Sequence, residues 1–353
     1  MNGVLQDASK SRSTAPLFSV ILLNWNGRHL LEECLSSIRS QTFRDFETIV
    51  VDNGSTDGSV DWVKERWAES VSTFALPSNL GFAGGNNAGI RLARGRYVIL
   101  LNNDTAVDPG WLAAMDDAVR RHPDAGMFTP KILNYYRRDE IDNTGHLIYP
   151  DGLARGRHRL EKDDGRFDEE EEVLSPSGCA GVYKKEMLDE IGLLDESFFA
   201  YGEDVDLGLR GRWAGWVCFY VPAAVVYHKY SATTGAYSPE KAFLVERNRL
   251  WILFKNFPLR EILLSPAYTA YRYAMHFRGF VSGKGATGRL AQDIPAWKML
   301  VVILKAEAAA IAGLPRVLRK RREYRRGHRI SPSRFRSLLR RYSMTAEEVA
   351  LKD

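Results

Sequence analysis

Three acidic motifs carry the residue types that chemistry on a charged sugar or nucleotide needs. They are Val50-Val51-Asp52-Asn53-Gly54-Ser55, Leu100-Leu101-Asn102-Asn103-Asp104-Thr105 and Tyr201-Gly202-Glu203-Asp204-Val205-Asp206. In the first two, carboxylates follow runs of Val, Ile and Leu. Such a run reads as a buried parallel strand, and the C-terminal edge of an open α/β sheet is where nucleotides bind. Asp52 suits either the ring N–H of a uracil or thymine base or the cap of a helix starting near Ser59, since Asp-Asn-Gly-Ser is also ordinary turn chemistry. Asn102 and Asp104 offer oxygen-bearing side chains at i and i+2, an arrangement that suits Mg²⁺ or Mn²⁺ on a diphosphate. These cations take one or two carboxylates together with phosphate and water.

The third motif follows Phe198-Phe199-Ala200-Tyr201-Gly202 and reads as a loop rich in glycine and aromatics. Partly desolvated surroundings of that kind raise a carboxylate toward a useful general base. His228, after Val225-Val226-Tyr227, could complete the shell of a cation, although a histidine after an apolar run is more often structural. Residues 79–89 alternate Asn79, Asn86 and Asn87 with Gly81, Gly84 and Gly85. Glycines let a backbone approach a ligand closely, and amides bond ribose or phosphate oxygens; the bland alternative is a flexible loop before a helix. No Lys-Ser/Thr pair follows the glycines, so this is no P-loop, and no simple Gly-x-Gly-x-x-Gly spacing marks a dinucleotide fingerprint.

The elements that must position these residues are legible as an alternation. Strands are expected at 18–23, 46–51, 74–76 and 96–101, and helices at 30–38 and 59–67, as in a parallel, doubly wound sheet. From about Gly126 the alternation fades into irregular segments carrying Thr144-Gly145-His146 and Ser177-Gly178-Cys179-Ala180-Gly181. After residue 237 the pattern becomes helical.

A chain of 353 residues with 45% apolar composition can bury one large core or two unequal ones. Three widely spaced cysteines imply neither a disulfide framework nor a zinc cluster and suit a reducing cytosol. Residues 1–16 read as a disordered leader, and the apolar stretch at 17–23 is too short for a signal sequence. The net charge of +5 conceals an acidic segment at 163–172 and an arginine-rich block at 316–341. A basic block of this kind suits nucleic acid or an anionic bilayer, or is simply a solvated helix face. The nearly apolar segment 295–315 approaches the ~20 residues of a membrane span. Lys298, Lys305 and Glu307 make spanning costly, so a helix lying in the membrane interface, arginines on the headgroups, fits better than a span, and no nucleic-acid partner is expected.

Taken together, residues 17–230 resemble the inverting family 2 glycosyltransferases. The opening strand ending in Asn24-Trp25-Asn26-Gly27, Asp52, the DxD-like Asn102-Asn103-Asp104 and Glu203-Asp204 agree with that family in order as well as type. The interval from Asp204 to His228 resembles that between base and metal-ligand histidine in its galactofuranosyl members. Asn102 departs from the strict DxD pattern. The resemblance implies an α/β GT-A (Rossmann-like) domain over 17–236, with a helical, basic, membrane-associating extension over 237–353.

It further implies Asp204 as catalytic base, with Glu203 and Asp206 orienting the acceptor. Asn24, Asn26, Asp52, Asn79, Gly81, Asn86, Asn103 and Arg247 would bind the nucleotide sugar, and Asp104, His228 and Asn102 a divalent cation, Mg or Mn. Residues 79–86 and Glu246-Arg247-Asn248-Arg249-Leu250 look most like the rhamnosyltransferase branch, which moves L-rhamnose from dTDP-rhamnose to lipid-linked cell-envelope glycans. A UDP-sugar transferase of the galactofuranosyl or N-acetylhexosaminyl kind is the alternative. A sugar-nucleotide nucleotidyltransferase fits less well, because residues 24–28 lack a basic Gly-rich loop. The expected location is the cytoplasmic face of the cytoplasmic membrane, bound peripherally.

Overall fold

The structure, a computed structural model, describes residues 15–229, 238–282 and 295–351; most of the expected leader therefore lies outside the described residues. Its first half alternates β1 Phe18–Asn24, α1 Arg28–Arg39, β2 Phe46–Asp52, α2 Ser59–Trp67, β3 Ser72–Ala75, α3 Gly81–Leu92 and β4 Tyr97–Asn102. The core strands are continuous apolar runs because both faces are covered, as a parallel sheet requires. Helix α1 buries Leu30, Leu31, Cys34, Leu35 and Ile38, the stripe its spacing predicts. β1 pairs in parallel with both β2 and β4, with Asn24 opposite Asp52 and Leu23 opposite Asn102, so the first two acidic motifs leave the sheet side by side.

Beyond β4 come β5 Thr105–Val107, α4 Trp111–Arg121, β6 Met127–Asn134, β7 Ile141–Asn143, β8 His146–Ile148, β9 Ala154–Gly156 and β10 Glu171–Val173. They are followed by β11 Ala180–Lys184, α5 Lys185–Ile191, α6 Glu203–Trp213 and β12 Cys218–His228. The main sheet runs β10-β12-β6-β11-β4-β1-β2-β3. β11 is antiparallel to both neighbours, β4 and β6, while β12 is parallel to β6. The expected parallel sheet is thus a mixed one, parallel from β3 through β2 and β1 to β4 and again between β6 and β12, with β11 antiparallel between the two parts. The fading alternation after Gly126 is where the antiparallel strands enter.

The Gly/Asn run corrects a second expectation. Residues from Gly81 onward form α3 rather than a ligand loop. A Cβ on Gly85 would lie 2.4 Å from Leu23 Cδ1, and one on Gly89 2.5 Å from Ile21 Cγ2. These two glycines are there so that the helix can lie directly on β1. The acidic segment is likewise absorbed internally: Lys131 meets Asp163 and Asp168, Arg121 meets Glu170, Arg157 meets Glu171 and Arg212 meets Glu172.

The C-terminal part is helical, with α7 Pro239–Asn256, α8 Leu259–Ser282, α9 Ala296–Tyr324, α10 Pro332–Arg341 and α11 Ala346–Leu351. It does not hang from the sheet as a separate unit. Phe198, Val205, Leu209 and Trp213 share one apolar cluster with Trp251, Leu253, Phe257, Ala310, Phe335 and Tyr342. Ile148 N–H donates to Tyr342 O at 2.9 Å. Among the described residues no helix is long and apolar enough to cross a membrane.

Candidate active site

The site is assembled at the ends of β1, β2 and β4, the start of α6 and the end of β12. Asp52 is 2% exposed; its Oδ1 accepts Ser55 N–H at 2.8 Å and its Oδ2 accepts Asn24 Nδ2 at 3.0 Å. Asn24 Oδ1 in turn accepts Asn103 Nδ2 at 2.8 Å, which ties the three strand ends into one buried polar chain. Each carboxylate oxygen keeps a second lone pair, so this chain orients Asp52 without exhausting it. Helix α2 is capped by Gly58, not Asp52, and Ser59 N–H is met by Asp57. Asn26, at φ +49°, accepts Thr56 N–H at 2.8 Å and so pins the β1 turn to the β2 turn.

Asp104 and His228 come together as their sequence positions alone could not show. Antiparallel pairing of β5 with β12 puts His228 opposite Thr105. His228 Nε2 lies 3.3 Å from Asp104 Oδ1, and His228 Nδ1 lies 2.7 Å from Asp142 Oδ2. Burial opposes a charged imidazole, but Cys179, Asp104 and Asp142 outweigh it and place the pKa of His228 well above its ordinary value. A carboxylate oxygen and an imidazole nitrogen facing one point, with a second carboxylate behind the imidazole, is a donor set that suits a divalent cation. No cluster of three or more His, Cys, Asp or Glu able to hold a metal gathers among the described residues, so two protein donors would leave positions for phosphate and water. Asn102 sits at the end of β4, where its backbone oxygen accepts Thr105 Oγ1 at 2.7 Å; its side chain makes no hydrogen bond to the described residues.

The Glu203-Asp204 pair is not in a loop. It opens α6, after Gly202 at φ +91° turns the chain into the helix. Asp204 Oδ2 accepts Gly178 N–H at 2.8 Å and Oδ1 accepts Val205 N–H at 2.8 Å. His146 Nε2 stands 3.6 Å from Asp204 Oδ2, while its Nδ1 lies 3.1 Å from Ser175 Oγ. Burial keeps the pKa of this imidazole below its ordinary value, the Asp204 charge opposing. Glu203 is 4% exposed, its Oε2 has no hydrogen-bond partner among the described residues, and burial reinforced by Asp204 raises its pKa well above the carboxylate range. Burial and the adjacent Asp204 charge both favour the protonated form of Glu203. The segment 177–179 joins the two stations, because Gly178 holds Asp204 while Cys179 lies against His228.

Other expected site residues are engaged elsewhere. Asp206 is fully buried, with Oδ2 on Arg210 Nε at 3.0 Å and Lys255 Nζ at 2.8 Å and Oδ1 on Asn256 Nδ2 at 2.9 Å. It locks α6 to α7 and does not face an acceptor. Asn79 Oδ1 accepts Asn53 Nδ2 at 2.9 Å and Gly81 N–H at 2.8 Å, and Asn86 Nδ2 donates to Phe82 O within its own helix. Gly81, at φ +73°, starts α3 against Phe199. Arg247 gives Nη2 to Phe198 O at 2.8 Å and Nε to Asn248 Oδ1 at 2.9 Å, shaping the turn before Glu203. The residues missed in sequence are His146, Asp142 and Gly178. Thr144-Gly145-His146 and Ser177-Gly178-Cys179 were visible as polar punctuation, but nothing local ties them to Asp204.

A sequence profile described as "Glycosyl transferase family 2" matches residues 19–192. Residues 19–192 form a glycosyl transferase family 2 domain. Among its relatives is the N-acetylglucosaminyl-diphospho-decaprenol L-rhamnosyltransferase of Mycobacterium tuberculosis, 29% identical over 246 residues covering 61% of this chain and 77% of that protein. An uncharacterised protein of Sinorhizobium fredii is 31% identical over 240 residues; the match covers 64% of this chain but only 26% of that protein's length. The solved structure of GalNAc-T7 with UDP, GalNAc and Mn²⁺ superposes with a TM-score of 0.58 at 18% identity, over 74% of this chain and 51% of that one. This likeness establishes the fold: a mixed α/β, Rossmann-like GT-A sheet, here extended by C-terminal helices.

Proposed function

We propose that the chain transfers a hexose, L-rhamnose from a dTDP-linked donor, to a hydroxyl of a lipid-linked or polysaccharide cell-envelope acceptor, inverting the anomeric carbon. The observation that carries the reading is the pair of stations bridged by residues 177–179: Asp104–His228 on one side and Glu203–Asp204 on the other. The named activity of the mycobacterial relative supports the sugar and the lipid-linked acceptor.

In this reading Asp52, held by Asn24 and Ser55, accepts the ring N–H of a pyrimidine base at the sheet edge. Asp104 and His228 would hold a divalent cation, Mg or Mn, which when bound supplies charge stabilisation to the departing diphosphate. Asp204, fixed by Gly178 N–H, takes the proton of the acceptor hydroxyl as that oxygen attacks. Glu203, buried beside Asp204, would back that carboxylate from the protein side of the site. Leu263, Phe277, Val281, Trp297 and Ile311 are each more than 60% exposed on α8 and α9, and with the arginine block they support peripheral attachment to the inner face of an anionic membrane.

Nucleotide release from a panel of dTDP-, UDP- and GDP-sugars tests the proposal. dTDP-rhamnose should give the highest turnover; faster release from a UDP-sugar would replace the donor, and none from any sugar nucleotide would overturn the reading.

A further inference from the structure

At the far end of α6 from Glu203 lies a second concave site of about 410 Å³. Trp213 stands ten residues along α6 from Glu203, so the cavity is roughly 15 Å from that end of the helix. Four arginines line it, Arg260, Arg321, Arg325 and Arg336, with the stacked rings of Trp213 and His328, 4.0 Å apart, as one wall. Lys255 reaches the same cavity, but Asp195 and Asp206 neutralise it.

The guanidiniums are far less well compensated. Arg336 Nε is 3.8 Å from Glu261 Oε1, whereas Arg260, Arg321 and Arg325 make no ion pair among the described residues. Arg321 instead gives Nη1 to Phe254 O at 2.9 Å, and burial, reinforced by Arg325, lowers its pKa to about 10, so it stays charged at neutral pH. Helix-end chemistry accounts for part of this. Arg321 and Arg325 lie at the C-terminal ends of α7 and α9, where cations are favoured. It does not account for Arg260, which is in the first turn of α8, the end that disfavours a cation. The N-terminus of α10, capped by Ser331 with Pro332 in the cavity wall, adds further positive potential. Concentrated positive charge around a water-accessible hollow, with one acid within reach, is a disposition that an anion with several oxygens completes.

We infer that this cavity, formed where α8, α9 and α10 meet, binds a phosphate-bearing anion and is a site separate from the candidate donor site. Phosphate chemistry of this kind comes either from a lipid headgroup or from a soluble phosphate, and the inference does not depend on the sugar-transfer reading.

Calorimetric titration of the full chain with inorganic diphosphate, at about 0.15 M salt and without divalent cation, tests it. R260Q/R325Q should weaken diphosphate binding by about tenfold or more, while R260K/R325K, keeping the charge, should lose less. D104A should bind diphosphate as the unaltered chain does. An unchanged thermal midpoint in the Gln pair, or the same ordering in the single variants R260Q and R336Q, separates lost binding from lost folding. Sedimentation with phosphatidylglycerol vesicles, against phosphatidylcholine vesicles, distinguishes the sources. A headgroup site loses vesicle binding in R260Q/R325Q and is competed by diphosphate; a soluble-phosphate site loses only the calorimetric signal. Equal diphosphate affinity and equal vesicle binding in the unaltered chain and R260Q/R325Q would overturn the inference, as would binding abolished by D104A.

Discussion

At the residue scale the sharpest division is between Glu203 and Asp204, adjacent carboxyls with different surroundings. Asp204 has backbone donors on both oxygens and a histidine nearby, while Glu203 is sealed from water. D204N keeps the shape but cannot take a proton, so turnover should fall on the order of 10²–10⁴ while donor binding stays nearly intact. Turnover above about half that of the unaltered chain would remove Asp204 from the role of base. Glu203 makes a separate prediction about stability. Its raised pKa means the folded chain holds a proton that the unfolded chain releases above about pH 4.5, so this group's contribution falls as pH rises from there toward its folded pKa. E203Q, neutral at every pH, should gain stability relative to the unaltered chain as pH rises above about 4.5 in thermal denaturation; a constant difference would show that Glu203 is charged in the fold. For the cation, D104A and H228A should each reduce activity and shift its dependence on added Mn²⁺ or Mg²⁺. Full activity of the unaltered enzyme in EDTA would contradict that assignment.

At the scale of elements, α6 is the part that most depends on its neighbours. One end presents Glu203 and Asp204, and the next turn anchors the helix through Asp206 to Arg210, Lys255 and Asn256. D206A leaves Lys255 with Asp195 alone and Arg210 without its carboxylate, in a site where the charges are almost fully buried. Breaking a buried pair typically costs 3–5 kcal/mol, so the thermal midpoint should drop by several degrees, roughly 1 °C or more for each kcal/mol in a chain of this size. A variant with unchanged stability but lost turnover would return Asp206 to the acceptor site. Helix α3 shows the same lesson in reverse: glycines that look like a ligand loop are the means of close helix–sheet packing. The sequence pattern cannot separate the two, because both demand a missing Cβ.

At the scale of the whole molecule, the helical C-terminal part is structural as well as basic. Lys320 reaches Asp195, Arg329 reaches Glu190 at 2.9 Å and Arg341 reaches Glu172 at 3.9 Å, so several members of the block are committed to the catalytic domain. Truncation after residue 237 would uncover Phe198, Val205, Leu209 and Trp213, and the shortened chain should be insoluble or unfolded by circular dichroism. A soluble, folded fragment would show that residues 17–236 stand alone. Replacing Arg319, Arg321, Arg322, Arg325 and Arg326 with Gln should weaken flotation with anionic liposomes at low salt, each exposed charge contributing about 1 kcal/mol. Flotation unchanged in low and moderate salt would leave the helices a packing role only.

What the sequence determined by itself was local and periodic. Apolar runs ending in Asn24, Asp52 and Asn102 announced the parallel strands; the 3.6-residue stripe of α1 announced its buried face; the order of the acidic motifs announced the family. These signals survive in one dimension because each depends on residues within a few positions of one another. Tertiary structure alone decided which polar residues meet. Asp142 supports His228 from 86 positions away, and Gly178 holds Asp204 from 26. It also decided that Asp206, two residues from Asp204, points into an ion-paired core. On a helix, residues i and i+2 lie about 200° apart, so neighbours in sequence can face opposite environments.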